Sequence, residues 1–271
     1  MSGLKLTDGS GVCIFSVVIP THNRLNLLEK SIMSAINQSY PPCEIIVIDD
    51  YLLDSVRVLI GALNNATNIP IYYVQNIIQS NAQVSRNIGA GFAKGSYLSF
   101  LDDDDLWGRE YLSQAKKIIE KKTCDMLITH TVAFNNKDEK IIRKLFPDKY
   151  SEQEMFIKNP GIACSNFIVN KRCFTSVKGY DPYVNASADK EILIRLKRKG
   201  FSHEVLREGL VFYRIGHSDQ WTSTDIKILP DIFRFYKKYF FCISLLTHVK
   251  MNRKMVKIFI KWLVGVKRDK R

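Results

Sequence analysis

The sequence predicts an α/β fold whose mostly parallel sheet is flanked by helices. Short apolar runs typical of buried strands alternate with segments whose apolar residues recur at helical spacing. Acidic residues follow two of the runs directly. Strands that alternate with helices form right-handed parallel units, so the ends of these runs should meet at one sheet edge, where such folds bind ligands.

The N-terminal part of the chain supplies most of this pattern. Strands are predicted at Phe15–Ile19, Glu44–Ile48, Ile71–Tyr73 and Tyr97–Leu101. Helices are predicted between them at Leu28–Ile36, Val56–Leu63 and Val84–Ala93. This order of elements predicts parallel pairing of the strands.

After Lys122 the alternation loosens, which predicts a smaller subdomain packed on the first. Further strands are predicted at Asp125–Thr129, Ile141–Leu145, Cys164–Val169 and Leu210–Tyr213. Helices are predicted from the capping box at Ser151–Glu154 onward and over Glu191–Lys199.

Composition narrows the class of protein. A chain of 271 residues, 46% of them hydrophobic, can bury a large core and is too apolar for disorder. Six cysteines without a Cys-x-x-Cys pair favour free thiols in a reducing cytosol. We expect no signal peptide and no membrane span, since no run approaches about 18 apolar residues. The net charge of +13 indicates an anionic partner: nucleic acid, a membrane or a phosphorylated substrate.

The most informative segment is Asp102–Asp105, directly after a predicted strand. Four neighbouring carboxylates repel one another, and a cation would offset that repulsion. Oxygen ligands suit Mg²⁺ or Mn²⁺, which commonly hold phosphate-bearing substrates. A solvated acidic loop or a helix N-cap before Leu106 is the alternative. The second acidic pair, Asp49 and Asp50, ends another strand at the same edge and favours a binding site.

Four motifs carry a resemblance to a known family. Val17–Arg24, Glu44–Asp50, Arg86–Gly89 and Gly95–Asp105 resemble, in order and spacing, the family 2 glycosyltransferases of the GT-A fold. The resemblance extends over about 14–222 and is closest to bacterial enzymes that build surface polysaccharides such as capsule, O-antigen or lipooligosaccharide. It implies a Rossmann-like sheet that binds a nucleotide sugar, with Mn²⁺ or Mg²⁺ held by an Asp-x-Asp motif.

The resemblance assigns donor-binding roles to three residues outside the acidic segment. It implies that Thr21 and Asp50 lie against the base and ribose, where a carboxylate can accept the imide N–H of uracil. A helix-start threonine and a turn aspartate are the alternatives. Arg86 contacts the donor or is a surface helix arginine.

Within the acidic segment the resemblance distinguishes the four carboxylates. Asp104 is the metal ligand, and Asp102 contacts the ribose or supports the metal ligands. Asp103 occupies the variable position beside the donor. Asp105 is expected to cap the following helix.

Two departures from the family pattern concern the base site and the catalytic base. Tyr51-Leu52 stands where the family continues with Gly-Ser, which alters the loop beside the nucleobase. Asp189 matches the family's general base, although Ala188 replaces the preceding Glu. A helix cap is the alternative for Asp189. Asp181 and Glu191 are the reserve candidates.

A late loop contains His217, which the resemblance places over the donor. There it completes the metal shell or contacts the pyrophosphate, unless it is an ordinary surface histidine. The small and polar residues around it suit a mobile lid.

The resemblance implies inverting transfer of a hexose from a UDP-sugar to a hydroxyl of a saccharide acceptor on a lipid-diphosphate carrier. The expected domains are a tail (1–13), a catalytic domain (14–222) and a helical basic extension (223–271). Within the catalytic domain, 14–105 bind the nucleotide and 106–222 face the acceptor. A metal-dependent phosphoryl-transfer enzyme or hydrolase and a basic nucleic-acid-binding protein are the rival classes. The absence of a recognised nucleic-acid motif disfavours the latter.

The C-terminal segment from Lys250 to Val266 is predicted as a basic amphipathic helix. Its basic stripe lies beside Ile258, Phe259 and Trp262. We expect it to bind an anionic membrane surface, which makes the protein peripheral on the inner face of the cytoplasmic membrane. The alternative is that its apolar face packs on the catalytic domain.

Overall fold

The computed structural model describes residues 14–78, 80–135, 140–147, 149–215 and 226–268, with the side chains of 140–144, 227 and 263–268 excepted. The strands in these ranges are β1 (Phe15–Thr21), β2 (Glu44–Asp49), β3 (Ile71–Gln75), β4 (Tyr97–Phe100), β5 (Leu106–Trp107), β6 (Met126–Phe134), β7 (Lys140–Lys144), β8 (Phe167–Asn170) and β9 (His203–Arg214). The helices are α1 (Leu25–Ile36), α2 (Asp54–Ala66), α3 (Ala82–Phe92), α4 (Tyr111–Lys122), α5 (Glu152–Ile157), α6 (Lys171–Ser176), α7 (Ala188–Arg198), α8 (Leu229–Tyr239) and α9 (Leu245–Arg268).

One continuous sheet runs through both halves of the chain in the order β3-β2-β1-β4-β8-β6-β9-β5, with β7 paired to β6. The pairs β2–β3, β1–β2 and β1–β4 are parallel, as the sequence predicts. Beyond β4 the sheet is mixed, because β8 runs antiparallel to both β4 and β6. The parallel half therefore ends its strands at one edge, where the acidic segment follows β4.

The central strands are apolar on both faces because helices cover both sides of the sheet. Every residue of β1 is buried. Val18 and Ile46 join one apolar cluster, whereas Val17, Ile19 and Ile45 join the cluster on the opposite face. This alternation follows from the pleat of the strand and fixes which side chains contact each helix layer.

The second half contains elements that the sequence pattern did not reveal. Strand β5 follows the acidic segment, so the helix expected directly after Asp105 begins only at Tyr111, as α4, and the unpredicted helix α6 follows β8. The strand predicted from Cys164 begins only at Phe167, after a single 3-10 turn. The capping box of Ser151 and Glu154 is confirmed at the start of α5.

Helix α9 divides the predicted apolar face between the core and solvent. Met251 and Ile258 are buried, and Met255 packs against them in part. Phe259 and Trp262 are exposed. The alternative that the apolar face packs on the catalytic domain therefore holds for Met251, Met255 and Ile258, but not for Phe259 and Trp262. Within the described part of the chain, the structure has no helix with the length and apolarity needed to cross a bilayer.

The expectation of free thiols holds for Cys124, Cys164, Cys173 and Cys242. It is wrong for Cys43, which is disulfide-bonded. Sequence spacing could not reveal this bond, because a disulfide depends on how closely the fold brings two thiols together.

Helix α3 lies tightly against β1 because residue 89 is glycine. A Cβ atom at Gly89 would lie 2.4 Å from Val18 Cγ1 and 3.3 Å from Ile48 Cγ1, whereas a Cβ at Gly91 would meet nothing within 4 Å. We predict that Gly89→Ala destabilises the protein by about 1–3 kcal/mol through overpacking. Gly91→Ala in the same helix should be neutral or stabilising by up to about 1 kcal/mol.

Urea denaturation of both variants measures this difference directly. Equal midpoints for Gly89→Ala and Gly91→Ala would show that α3 can shift away from β1 at no cost.

Candidate active site

A cleft of about 530 Å³ lies at the carboxyl ends of β1, β2 and β4. It brings together seven of the eight predicted site residues, namely Thr21, Asp50, Arg86, Asp102, Asp103, Asp104 and Asp189. The eighth, His217, lies outside the residues that the structure describes. The rest of the lining comes in part from the start of α7 and from the end of β9, which lies against the acidic segment through Arg214.

The first carboxylate of the acidic segment forms an ion pair with helix α3. Arg86 Nη2 donates to Asp102 Oδ1 at 2.5 Å, and the guanidinium carbon lies 5.5 Å from the centre of the Tyr180 ring. The Arg86 side chain is only 7% exposed, so the surface-arginine interpretation is wrong. Arg86 places a buried positive charge at the floor of the cleft.

Asp103 turns toward the end of β1. Its Oδ2 accepts hydrogen bonds from the Thr21 hydroxyl at 2.8 Å and from the His22 amide at 3.3 Å, and its Oδ1 accepts one from Arg24 at 3.1 Å. Burial, and next the charge of Asp104, raise the pKa of Asp103 to about 7, although Arg24 opposes this. Asp103 thus ties the acidic segment to the β1 loop.

The last two carboxylates are held by arginines and by the loop backbone. Arg24 Nη1 donates to Asp104 Oδ2 at 2.9 Å, and Arg214 Nε donates to the Asp104 carbonyl at 2.9 Å. Asp105 is fully buried, and its Oδ1 accepts the Arg214 amide at 2.9 Å. The prediction that Asp105 caps a following helix is wrong, because strand β5 follows it and pairs with β9.

Three of these carboxylates fit a divalent cation. One oxygen from each of Asp102, Asp104 and Asp105 lies within 4.8 Å of the others. Asp105 Oδ2 is buried and has no hydrogen-bond partner among the described residues. An oxygen-only donor set of this kind suits Mg²⁺ or Mn²⁺. The sequence analysis did not include Asp105 in the metal site. Its carboxylate reaches Asp102 and Asp104 because the chain turns at 103–104, which the sequence pattern did not predict.

The two aspartates that end β2 have different environments. Asp49 accepts the amides of Tyr51, Leu52 and Leu53 and the Tyr73 hydroxyl, so it stabilises the turn. The turn-aspartate interpretation therefore applies to Asp49. Asp50 lines the cleft instead.

Asp50 pairs with a histidine that sequence reasoning missed. His22 Nδ1 lies 2.7 Å from Asp50 Oδ1, and the His22 ring meets the Tyr51 ring edge-on with centroids 4.9 Å apart. Burial raises the pKa of Asp50, and the bond from His22 lowers it in part. Both rings are exposed beside the cleft. The sequence feature that could have identified His22 as a site residue is its position between Thr21 and Arg24 in the first family motif.

The structure gives the three candidate bases different environments. Asp189 is the second residue of α7, after the N-cap Ser187, and lines the cleft. Glu191 is fully buried and accepts from Arg195, Lys238 and Tyr239.

The other reserve, Asp181, binds Lys238 and the Tyr183 amide and does not line the cleft. Asp189 is therefore the candidate base in contact with the cleft among these three.

Comparison with known proteins identifies several similar chains. The family model described as Glycosyl transferase family 2 matches residues 16–177, which is more than half of the chain. The putative teichuronic acid biosynthesis glycosyltransferase TuaG of Bacillus subtilis is 24% identical over 215 residues, covering 78% of this chain and 84% of TuaG.

A second relative is named UDP-Glc:alpha-D-GlcNAc-diphosphoundecaprenol beta-1,3-glucosyltransferase WfaP, from Escherichia coli. It is 25% identical over 217 residues, covering 80% of this chain and 82% of WfaP. Among solved structures, S. aureus TarS 1–349 in complex with UDP has a TM-score of 0.64 and 16% identity, covering 91% of this chain and 70% of TarS. This last likeness confirms the fold.

Proposed function

The chain belongs to glycosyl transferase family 2 and is a glycosyltransferase, and we propose that it moves a hexose from a UDP-sugar to a hydroxyl of a saccharide acceptor with inversion. One observation carries this proposal: a single cleft is lined by Thr21 and Asp50, by the first three carboxylates of the acidic segment and by Asp189. The naming of WfaP for a UDP-glucose donor and the UDP complex of TarS support the choice of donor class.

We assign donor binding to residues 14–105. Asp50 accepts the imide N–H of uracil, as a carboxylate that lines the cleft can do. The exposed ring of His22, which Asp50 orients, borders the same space. The buried guanidinium of Arg86 provides positive charge for the diphosphate.

Mn²⁺ or Mg²⁺ fits the carboxylates of Asp102, Asp104 and Asp105. When bound, such an ion supplies Lewis-acid stabilisation of the negative charge on the departing nucleoside diphosphate. Arg24 and Arg214 hold the loop that carries these carboxylates, so the protein presents them in a fixed arrangement.

We assign acceptor activation to residues 106–222, with Asp189 as the general base. Asp189 accepts the proton of the attacking hydroxyl from the face opposite the leaving group. Among the described residues of 106–222, Asp189 is the only carboxylate that lines the cleft. With one base and one displacement, an α-linked donor gives a β-linked product.

We propose that the acceptor is a saccharide on a lipid-diphosphate carrier in bacterial surface polysaccharide synthesis. The lipid-diphosphate acceptor in the name of WfaP supports this class. Such an acceptor is presented at the cytoplasmic face of the membrane, so we place the protein there, peripherally, with the basic extension 223–271 toward the anionic surface.

The donor assignment is tested by titrating UDP, GDP and dTDP, and their hexose conjugates, into the protein with Mn²⁺. We predict that UDP binds about tenfold or more tightly than GDP, because a cleft that holds the single ring of uracil against Asp50 leaves less room for the larger purine. Isothermal calorimetry measures the affinities, and metal-dependent slow hydrolysis ranks the sugars. Strong GDP binding without UDP binding would overturn the assignment.

The metal site is tested with Asp104→Asn. We predict that this variant loses Mn²⁺-supported turnover by about a hundredfold or more, because the donor set loses a charged oxygen. Its unfolding midpoint should remain close to that of the wild type, since Arg24 retains Asp103 as a partner. Glu29→Gln on the exposed face of α1 is the matched control. Full activity of the wild type in excess chelator would refute the site.

The general base is tested with Asp189→Asn. We predict near-normal UDP binding and a kcat lowered by about 10²–10⁴, since a base acts only in the transition state. Asp181→Asn is the matched control and should retain turnover, because Asp181 lies outside the cleft and Lys238 keeps Glu191. Loss of donor affinity without loss of kcat would make Asp189 a structural residue.

A further inference from the structure

Helix α9 carries a second apolar stripe, on the side turned away from the core. Leu245, Val249, Val256 and Ile260 are 80%, 41%, 54% and 51% exposed. At about 100° per residue these four positions fall within about 60° of one another. They point about 150° away from Met251, which is buried on the core side. The helix therefore has apolar residues on two opposite sides.

Two exposed aromatic side chains lie just before the start of α9. Phe241 is 98% exposed. The Phe240 ring contacts both Phe241 and His248, with centroids 5.4 Å and 4.7 Å apart. These contacts place the phenylalanine pair beside His248, in the first turn of the helix.

The charged residues of α9 itself have one sign. Lys250, Arg253, Lys257 and Lys261 are exposed on α9. The sequence from Ile232 to Arg268 contains no acidic residue. Glu154, at the start of α5, lies close enough to Lys250 to interact with it electrostatically. An exposed apolar stripe on a helix whose own charged residues are all cations matches a partner that is both apolar and anionic.

We propose that the second stripe of α9, together with Phe241, inserts into the interface of an anionic lipid bilayer. The apolar stripe lies at the boundary between acyl chains and headgroups, and the four cations contact the anionic headgroups. A second copy of the chain fits poorly, because the same cations would face each other across the contact. This inference rests on the proposed function for its purpose, since a lipid-linked acceptor is presented at such a surface.

The apolar part is tested with a quadruple variant, Leu245→Gln, Val249→Gln, Val256→Gln and Ile260→Gln, because glutamine keeps a high helix propensity. The full chain is sedimented with vesicles of phosphatidylcholine alone or with phosphatidylglycerol added. We expect the variant to lose binding to the anionic vesicles by about tenfold or more. Val58→Gln with Phe92→Gln, at exposed positions of α2 and α3, is the matched control and should bind like the wild type.

The charged part is tested with Arg253→Glu and Lys257→Glu together, a change that leaves the apolar stripe intact. We expect about a tenfold or greater loss of binding at low salt and a smaller difference at high salt. Lys117→Glu with Lys121→Glu, on the exposed face of α4, controls for net charge. Equal losses in both pairs would overturn the proposal, because net charge alone would then account for binding.

Two further outcomes would also overturn it. One is wild-type binding by the quadruple variant, and the other is a wild-type dimer in light scattering that this variant dissociates. UDP affinity, measured on the same samples, separates the two proposals. Vesicle binding without UDP binding would refute only the donor assignment, whereas UDP binding without vesicle binding would refute only the membrane surface.

Discussion

Repulsion among the four carboxylates of Asp102–Asp105 is the constraint around which the site is organised. The fold offsets it by giving each carboxylate its own environment instead of exposing all four to solvent. Arg86 pairs with Asp102, Arg24 bridges Asp103 and Asp104, and Arg214 binds the loop backbone and Asp105. The arginines come from α3, the β1 loop and β9, so the acidic loop fixes the relative positions of elements far apart in sequence.

Sheet order makes this convergence possible. β1 lies between β2 and β4, so the loops after all three strands open into the same cleft. The mixed half then returns β9 beside β5, which places Arg214 against the far side of the acidic loop. The residues assigned to the donor are positioned by the parallel pairing of β1, β2 and β4. The part of the cleft formed by α7 and β9, which we call the acceptor wall, follows instead from the antiparallel insertion of β8 between β4 and β6.

The sequence predicts the donor half well because its signals are local. A buried strand followed by acids places Asp50 and Asp102 at the same edge without knowledge of distant contacts. Prediction from the sequence fails where the surroundings of a side chain are formed by residues far away along the chain. From the sequence, Glu191 resembles a candidate base near a helix start. The structure shows that it is buried and bound by Lys238 and Tyr239, which come from the distant helix α8. Asp105 was misassigned because β5, whose pairing with β9 no local pattern indicates, comes between Asp105 and the helix that begins at Tyr111.

The Glu191 network also bears on how the C-terminal segment relates to catalysis. Lys238 and Tyr239 hold Glu191, and Asp231 accepts the amide of Asn185, a residue at the cleft three positions before the helix that carries Asp189. Removing one partner of a buried ion pair leaves the other uncompensated, which typically costs about 3–5 kcal/mol.

Helix α9 in turn buries Met251 and Ile258 in the core cluster that also contains Tyr239. Truncation would therefore disturb the acceptor wall, so point substitutions on the solvent side of α9 are needed to separate a membrane role from a structural one.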